Sequence, residues 1–200
     1  TVATVAGAVP LAPAAPGAPA LAVRAGMRAR PVATRHRHRV HRHRLPPVGG
    51  VYARNAIVLD PTTGEVLFEK NSSRSVPIAS LTKLMTAMVF LEQKPDLARE
   101  VEVTQAEIAG AGHTQLRRGE RVPLGELLHM SLMCSDNCAT RVIAIESGIV
   151  PAAFVARMNQ KAVELGLTGA HFVEFTGLDE HNVATASDVA RMLHAAANEP

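Results

Sequence analysis

A serine and a lysine stand three positions apart in the otherwise apolar segment "ASLTKLMTAM", residues 79–88. Positions i and i+3 are neighbours on a helix surface, so the amine of Lys83 can reach the hydroxyl of Ser80. Burial disfavours the charged form of a lysine, and a neutral amine can activate a serine as an acylating nucleophile. The alternative is a helix-capping serine beside a lysine that lies along an apolar face, and about one Ser-x-x-Lys arises by chance in a chain of this length.

A second polar cluster, Ser135-Asp136-Asn137, lies between two apolar helical segments in "MCSDNCAT", residues 133–140. A Ser-x-Asn element that follows an upstream Ser-x-x-Lys is the second signature of the serine acyltransferases that recognise penicillin. Ser135 could also cap the following helix, with Asp136 in its first turn, and that position is compatible with a catalytic role. Two motifs in this order favour acyl transfer more strongly than either motif alone.

The segments around both motifs show strand and helix patterns. An apolar run at 56–60, the turn-forming "PTTG" at 61–64 and the alternating residues 65–70 predict a β-hairpin. Apolar residues at helical spacing predict a helix over 75–93 that carries Ser80 in its first turn. Further helices are predicted at 104–107, 123–133, 137–147, 151–166 and 185–197, and a strand or extended segment is predicted at 171–175.

The first 50 residues differ in composition from the rest. They hold eight arginines and no acidic residue, a formal charge of +8, whereas the remainder holds 13 basic and 18 acidic residues. The Ala/Pro-rich residues 1–26 are interpreted as the remnant of an export signal or as a linker. The Arg/His run at 35–44 predicts a solvated segment with affinity for anionic wall or lipid polymer. Nucleic acid is not expected as a partner, because no aromatic residue is interleaved to stack on bases. We therefore expect a disordered tail over residues 1–50 and a folded domain over residues 51–200.

Three stretches carry a family resemblance: "PIASLTKLMTAMV", "LLHMSLMCSDNCAT" and "FVEFTGLDEHNVATASDVARML". Through them, residues 52–200 resemble the low-molecular-weight penicillin-binding D,D-peptidases, and they are most similar to the D-alanyl-D-alanine endopeptidases called penicillin-binding protein 7. The resemblance implies the α+β fold shared by β-lactamases and penicillin-binding transpeptidases, with a helix-rich subdomain, an N-terminal β-hairpin and an antiparallel sheet.

The resemblance also implies roles for the motif residues. Ser80 would be the nucleophile acylated by a D-alanyl peptide or by penicillin, and its backbone N–H would form half of the oxyanion hole. Lys83 would take the serine proton, Ser135 would relay a proton toward the leaving amine, and Asn137 would bond to the substrate amide and to Lys83. The expected partners are peptidoglycan peptides and β-lactam antibiotics, and the expected location is the periplasm, after export.

The family carries a third motif, Lys-Thr-Gly, on a later strand, and the 200 residues contain no Lys-Thr-Gly. We expect the C-terminal third of the domain, with its sheet strands, to be missing from this chain. A hairpin without those neighbours should leave an exposed sheet edge and an uncovered apolar helix face. Loss of an oxyanion donor costs roughly two to three orders of magnitude in rate, so weak activity is expected.

Two alternatives remain open at this point. A serine β-lactamase shares the first two motifs, but the Glu-x-x-Leu-Asn loop of its commonest class is absent from the sequence. The acids Glu174, Asp179 and Glu180 lie in the corresponding region and are interpreted as solvated loop residues. The second alternative is a catalytically weak fragment that binds peptidoglycan in its cleft.

Two cysteines, Cys134 and Cys138, flank the second motif. An even number of cysteines in an exported protein suggests a disulfide, but the i, i+4 spacing places the two Cβ atoms too far apart within one regular helix. With His129 they lack a fourth ligand for a metal, so we interpret them as buried small residues. No metal site and no cofactor are expected, because serine acyl transfer needs none.

Overall fold

The computed structural model describes residues 50–112 and 114–198. The predicted export remnant and the Arg/His segment therefore lie outside the described residues.

The first described elements form the predicted β-hairpin. Strand β1, Ala56–Leu59, pairs antiparallel with β2, Val66–Lys70, with a register shift between Val58 and Leu59. The turn is organised by Asp60, whose side-chain oxygen accepts hydrogen bonds from the backbone N–H groups of residues 62 and 63 at 2.8 and 2.9 Å. Such an Asx-type turn satisfies backbone donors where the strands end.

The segment predicted as one helix over 75–93 is divided into three parts, so the predicted start is wrong. It begins with strand β3, Val76–Pro77, continues as a single 3₁₀ turn at Ala79–Leu81 and becomes helix α1 at Thr82–Glu92. Ala79 has a φ of +48°, which a regular helix cannot contain, and this residue separates strand from helix. Ser80 therefore lies in the 3₁₀ turn, two residues before α1.

Two further strand pairs were not predicted as pairs. The two-residue strand β3 pairs with a partner strand near the C-terminus, Val183–Ala184, and Glu100–Glu102 pairs with Arg121–Pro123, both antiparallel. In chain order the remaining elements are β4 (Glu100–Glu102), α2 (Gln105–Ile108), β5 (Arg121–Pro123), α3 (Leu124–Met133), α4 (Asn137–Glu146), α5 (Pro151–Glu164), β6 (Val183–Ala184) and α6 (Ala186–Ala197). Five of the six described helices lie within segments predicted to be helical, and α2 extends one residue past its predicted segment 104–107. The described part of the chain has the predicted α+β character.

Side-chain caps define where several helices begin. Thr104 and Thr185 each form a capping box, with Glu107 and Asp188 bonding back to the cap backbone at the starts of α2 and α6. Pro151 begins α5, where its missing N–H leaves no intrahelical bond unmade. Residues 171–175, predicted as a strand or extended segment, contain one isolated bridge from His171 to Val183 and otherwise bend.

The core consists of two apolar clusters, and α1 contributes to both. The first cluster includes Phe90 of α1 with apolar residues of α3 and α4. The second includes Met85, Met88 and Val89 of α1 with Phe154 of α5 and Met192 of α6. Helix α1 is therefore the central element of the described unit.

Among the described residues no single helix has the length and apolar composition needed to cross a membrane. The bent pair α4 and α5, at 96°, meets the test of length and composition when the two helices are taken together.

Candidate active site

The Lys83 amine is the centre of the site. Its side chain is buried, with 2 % of the residue exposed, although lysine is rarely found inside a protein without a partner. Its Nζ atom lies 3.2 Å from Ser80 Oγ, 2.7 Å from Asn137 Oδ1 and 2.6 Å from the backbone oxygen of Thr176. The structure thus brings three of the four predicted site residues, Ser80, Lys83 and Asn137, into one hydrogen-bonded group.

Helix α1 presents a buried polar face at this point. Thr82, Lys83 and Thr86 are all buried, and Thr86 donates its hydroxyl to the backbone oxygen of Phe175 at 2.7 Å. Consecutive carbonyls of residues 175 and 176 therefore bond to α1 side chains three positions apart. Residues 173–182, which we call the anchor loop, are held against the start of α1 by these bonds.

Burial lowers the pKa of the Lys83 amine below its ordinary value of 10.5, while the carboxylates of Glu174 and Asp136 act in the opposite direction. Desolvation is the larger effect, because a charge loses its hydration when it is buried. The net direction favours the neutral amine, which is the form that can accept a proton from a serine hydroxyl.

Asn137 is the first residue of α4, and the residue before it fixes its position. Asp136 is the helix cap, and it accepts hydrogen bonds from the Ala139 backbone N–H at 2.9 Å and from the Thr114 hydroxyl at 2.7 Å. The Asn137 side chain also donates to the backbone oxygen of Ala111 at 2.9 Å. The cap is therefore Asp136 and not Ser135, the residue considered for this role in the sequence.

Ser135 is exposed and lies between α3 and α4, two residues before Asn137. Its φ of +56° is in the left-handed region, which is uncommon for residues other than glycine. The described contacts include no hydrogen bond from its hydroxyl to Ser80 or Lys83, so the structure does not bring Ser135 into the hydrogen-bonded group.

Ser80 is exposed, and its backbone is packed against the anchor loop. Gly177 has a φ of +87°, and a Cβ at this position would overlap the Ala79 carbonyl and lie 2.9 Å from the Ser80 nitrogen. Only glycine permits both this conformation and this close approach. The 3₁₀ turn Ala79–Leu81, which we call the serine turn, is therefore in direct backbone contact with the anchor loop.

Glu174 is a residue whose place the sequence interpretation missed. It was expected to be solvated, but it is half-buried and accepts hydrogen bonds from Thr176, Gly177 and Asn182. Asp179 and Glu180 are exposed, in agreement with the expectation. The sequence pattern that could have indicated this role is Glu-x-Thr-Gly at residues 174–177. In a tight turn, an acid at the first position can accept hydrogen bonds from the backbone N–H groups that follow it.

The two cysteines are free thiols. Cys138 is buried, and burial raises the pKa of its thiol to about 11. Cys134 is exposed because α3 ends there, so its interpretation as a buried residue was wrong. Within residues 50–112 and 114–198, no group of three or more His, Cys, Asp or Glu side chains is arranged to hold a metal ion.

The fold and the Ser-Lys-Asn group define a family. Residues 41–199 match the D-alanyl-D-alanine carboxypeptidase family, and the chain belongs to it. This confirms the resemblance recognised from the motifs.

Individual relatives of the chain are D-alanyl-D-alanine endopeptidases. The chain is 40% identical over 149 residues to the D-alanyl-D-alanine endopeptidase of Pseudomonas aeruginosa and 34% identical over 148 residues to that of Escherichia coli, covering 73% of this chain and 48% of each relative. The chain thus spans about half the length of the curated relatives it matches. Their names do not favour the β-lactamase alternative.

Solved structures show the same fold. A D-alanyl-D-alanine carboxypeptidase from Mycobacterium tuberculosis superposes with a TM-score of 0.68 at 30% identity, covering 78% of this chain and 62% of the other. The carboxypeptidase DacD from Francisella tularensis gives a TM-score of 0.69 at 27% identity, covering 74% and 38% of the two chains. These similarities confirm the predicted transpeptidase-like fold.

Proposed function

We propose that this chain forms the acylation site of a serine-type D-alanyl-D-alanine peptidase that acts on peptidoglycan stem peptides or cross-links and is acylated by penicillin. The observation that carries the proposal is the set of contacts around the Lys83 amine. A neutral amine has two N–H donors and one lone pair. Two acceptors, Asn137 Oδ1 and the Thr176 carbonyl, lie within 2.7 Å, which leaves the lone pair for the Ser80 hydroxyl at 3.2 Å.

In the proposed reaction the Ser80 oxygen attacks the carbonyl carbon of the penultimate D-alanine, and the hydroxyl proton passes to Lys83. The tetrahedral intermediate collapses with cleavage of the peptide C–N bond, and the leaving amine receives a proton. We assign the relay of this proton to Ser135, as the family resemblance implies. Water then hydrolyses the Ser80 ester and regenerates the serine.

Asn137 has two roles in this proposal. Its oxygen orients the Lys83 amine, a contact made in the absence of substrate. Its Nδ2 group donates to the backbone oxygen of Ala111, and we propose that the same group hydrogen-bonds to the substrate amide. With penicillin, Ser80 opens the β-lactam amide by the same attack, and a covalent adduct forms.

The substrate class implies a location. Cross-linked wall peptides exist outside the cytoplasmic membrane, so we propose an exported, periplasmic protein. We also propose that the Arg/His segment at 35–44 provides affinity for anionic wall or lipid polymers rather than for nucleic acid, because it has no aromatic residue to stack on bases.

The test is intact-mass measurement of the 200-residue chain after incubation with penicillin, with Ser80→Ala as the control. We expect one adduct per chain and none on Ser80→Ala. No adduct on the folded chain, and none after a Lys-Thr-Gly strand from a relative is joined downstream, would contradict the enzyme proposal and favour a peptidoglycan binder.

Two substrates separate the enzyme classes. Cleavage of a cross-linked muropeptide is expected for the peptidase. Rapid turnover of nitrocefin, in place of a slowly released adduct, would instead indicate a β-lactamase.

A further inference from the structure

The carboxylate of Glu174 is bonded at both oxygens. One oxygen accepts the backbone N–H and the hydroxyl of Thr176 at 2.7 and 2.6 Å. The other accepts the Gly177 backbone N–H and the side-chain amide of Asn182, the latter at 2.5 Å. Four donors converge on one half-buried carboxylate, which is the arrangement of a structural anchor and not of a solvated acid.

Asn182 closes the anchor loop from its other end. It is fully buried, and its side-chain oxygen accepts the Val173 backbone N–H at 2.7 Å. Its backbone oxygen accepts the Ile78 N–H at 3.0 Å, immediately before the serine turn. Glu174 and Asn182 together therefore fix the loop with respect to the strand that leads to Ser80.

The anchored residues are those that contact the proposed acylation machinery. Thr176 presents its carbonyl to the Lys83 amine at 2.6 Å. Gly177 lies against the backbone of Ala79 and Ser80. A change in the bend between residues 174 and 177 would therefore move an acceptor of the base and a support of the nucleophile at the same time.

Glu174 also contributes charge. Among the described residues, the carboxylates that act on the Lys83 amine are Glu174 in the anchor loop and Asp136 at the cap of α4. Asp136 is bonded to Ala139 and Thr114 at the other side of the site. Removal of the Glu174 charge would leave Asp136 alone to stabilise the protonated amine.

We propose that Glu174 is a positioning residue for acylation: its carboxylate sets the bend of the anchor loop that holds the Thr176 carbonyl on Lys83 and Gly177 against the Ser80 turn. The inference rests on the function proposed for Ser80 and Lys83. Because both carboxylate oxygens are saturated by donors from the protein, Glu174 acts through the loop and does not serve as a base that activates water.

The test compares Glu174→Gln with Glu180→Gln in the full chain. Both changes remove one acid from the same loop, but Glu180 is exposed and makes no hydrogen bond among the described contacts. Glutamine replaces one acceptor oxygen by a donor, so two of the four donors lose their partner. Two readouts do not need acylation: amide hydrogen exchange at Thr176 and Gly177, and NMR titration of the Lys83 side chain.

We expect exchange at these two amides to become at least about tenfold faster in Glu174→Gln, because the loop opens locally. The Lys83 titration midpoint should move to lower pH, since a carboxylate that favours the protonated amine has been removed. Where the wild-type chain is acylated, the acid limb of its pH–rate profile should move in the same direction. The plateau should fall by about 10- to 100-fold, the effect of misplaced reacting groups.

The proposal is overturned if Glu174→Gln matches Glu180→Gln in amide exchange and in the Lys83 midpoint. If the glutamine variant does not fold, Glu174→Asp replaces it. Aspartate keeps the negative charge, but its side chain is one methylene shorter and its carboxylate cannot reach the same four donors. Amide exchange should therefore become faster, while the Lys83 titration midpoint stays near that of the wild type. An unchanged exchange rate in that variant also overturns the proposal. A wild-type chain that forms no penicillin adduct contradicts the proposed function, whereas these two readouts still decide the role of Glu174.

Discussion

Both proposed catalytic hydroxyls are associated with strained backbone. Ala79, which precedes Ser80, has a φ of +48°, and Ser135 has a φ of +56°. A left-handed conformation costs an L-residue roughly 1–2 kcal/mol, and such residues persist only where the surrounding structure holds them. For Ala79 the surrounding structure is the anchor loop, through Gly177. The strain at Ala79 therefore depends on a contact made almost 100 residues later in the chain.

At the residue scale, the first prediction concerns the protonation of Lys83. Because the proposed mechanism uses the neutral amine as the base, the wild-type acylation rate should rise with pH, with a midpoint below the ordinary lysine value of 10.5. Lys83→Arg keeps the positive charge, but a guanidinium does not deprotonate in this range, so acylation should fall at least about 100-fold at every pH.

The measurement is the rate of penicillin adduct formation from pH 5 to pH 10, with thermal melts to show that the variant is folded. A folded Lys83→Arg chain that reacts within tenfold of the wild type would exclude Lys83 as the base.

At the element scale, the contact between the anchor loop and the serine turn is tested by Gly177→Ala. The new Cβ would overlap the Ala79 carbonyl, so we expect a loss of about 2–4 kcal/mol in unfolding free energy or a comparable loss of acylation. Gly119→Ala is the matched control, because Gly119 has a similar φ of +80° but open space around it.

The control should lose only about 1 kcal/mol, the cost of the left-handed conformation alone. Urea unfolding and adduct formation measure both effects. Equal losses in the two variants would show that the close approach of Gly177 to the serine turn is unimportant.

A second element-scale prediction concerns the contact between α1 and α5. Burial acts to raise the pKa of the Glu92 carboxyl, but hydrogen bonds and charges from Arg157 and Lys161 lower it below its ordinary value of 4.5. The folded state thus favours the ionised form. The stabilisation is fully present above pH 4.5 and is lost as the pH falls through the lower folded value.

Glu92→Gln should therefore cost about 1 kcal/mol at pH 7, and the difference from wild type should shrink as the pH falls below 4.5. Urea unfolding at pH 7, 5, 4 and 3 measures this difference. A difference that is constant across the series would show that the ionised carboxylate contributes nothing.

The local elements were predictable because their signals are local. The Asx turn of the hairpin, the periodicity of α1 and the Thr104 and Thr185 caps each lie within a few residues. Strand β3 was missed because two residues carry no period and its partner β6 is more than 100 positions away. The Ser80–Lys83 pair was readable from its spacing, but the Thr176 acceptor is a backbone carbonyl, which no residue type identifies.

At the scale of the whole molecule, α1 contributes residues to both apolar clusters and also carries Lys83. Phe154 of α5 lies in the second cluster, and its ring meets that of Phe175 edge to face at 6.1 Å. Phe175 belongs to the anchor loop and accepts the Thr86 hydroxyl bond. The second apolar cluster therefore packs against the anchor loop through the contact between Phe154 and Phe175.

Phe154→Ala should cost about 3–5 kcal/mol in unfolding free energy, because it leaves a cavity in a fully buried position. Val163→Ala on the same helix is the control, since Val163 is 79% exposed, and it should change stability by less than about 0.5 kcal/mol. Urea unfolding measures both variants. A loss below 1 kcal/mol for Phe154→Ala would contradict the described core.

The three hydrogen bonds of the Lys83 amine connect it to Ser80, Asn137 and Thr176, which lie 3, 54 and 93 residues away along the chain. An unfolded or partly synthesised chain can form the first contact but not the other two, because they require closure of long loops. Until residue 176 is in place, Lys83 remains hydrated and protonated, and in the proposed mechanism a protonated Lys83 cannot activate Ser80. A labelled β-lactam would therefore mark only chains that have completed their long-range folding, and the rate at which labelling appears during refolding would report the assembly of the native topology.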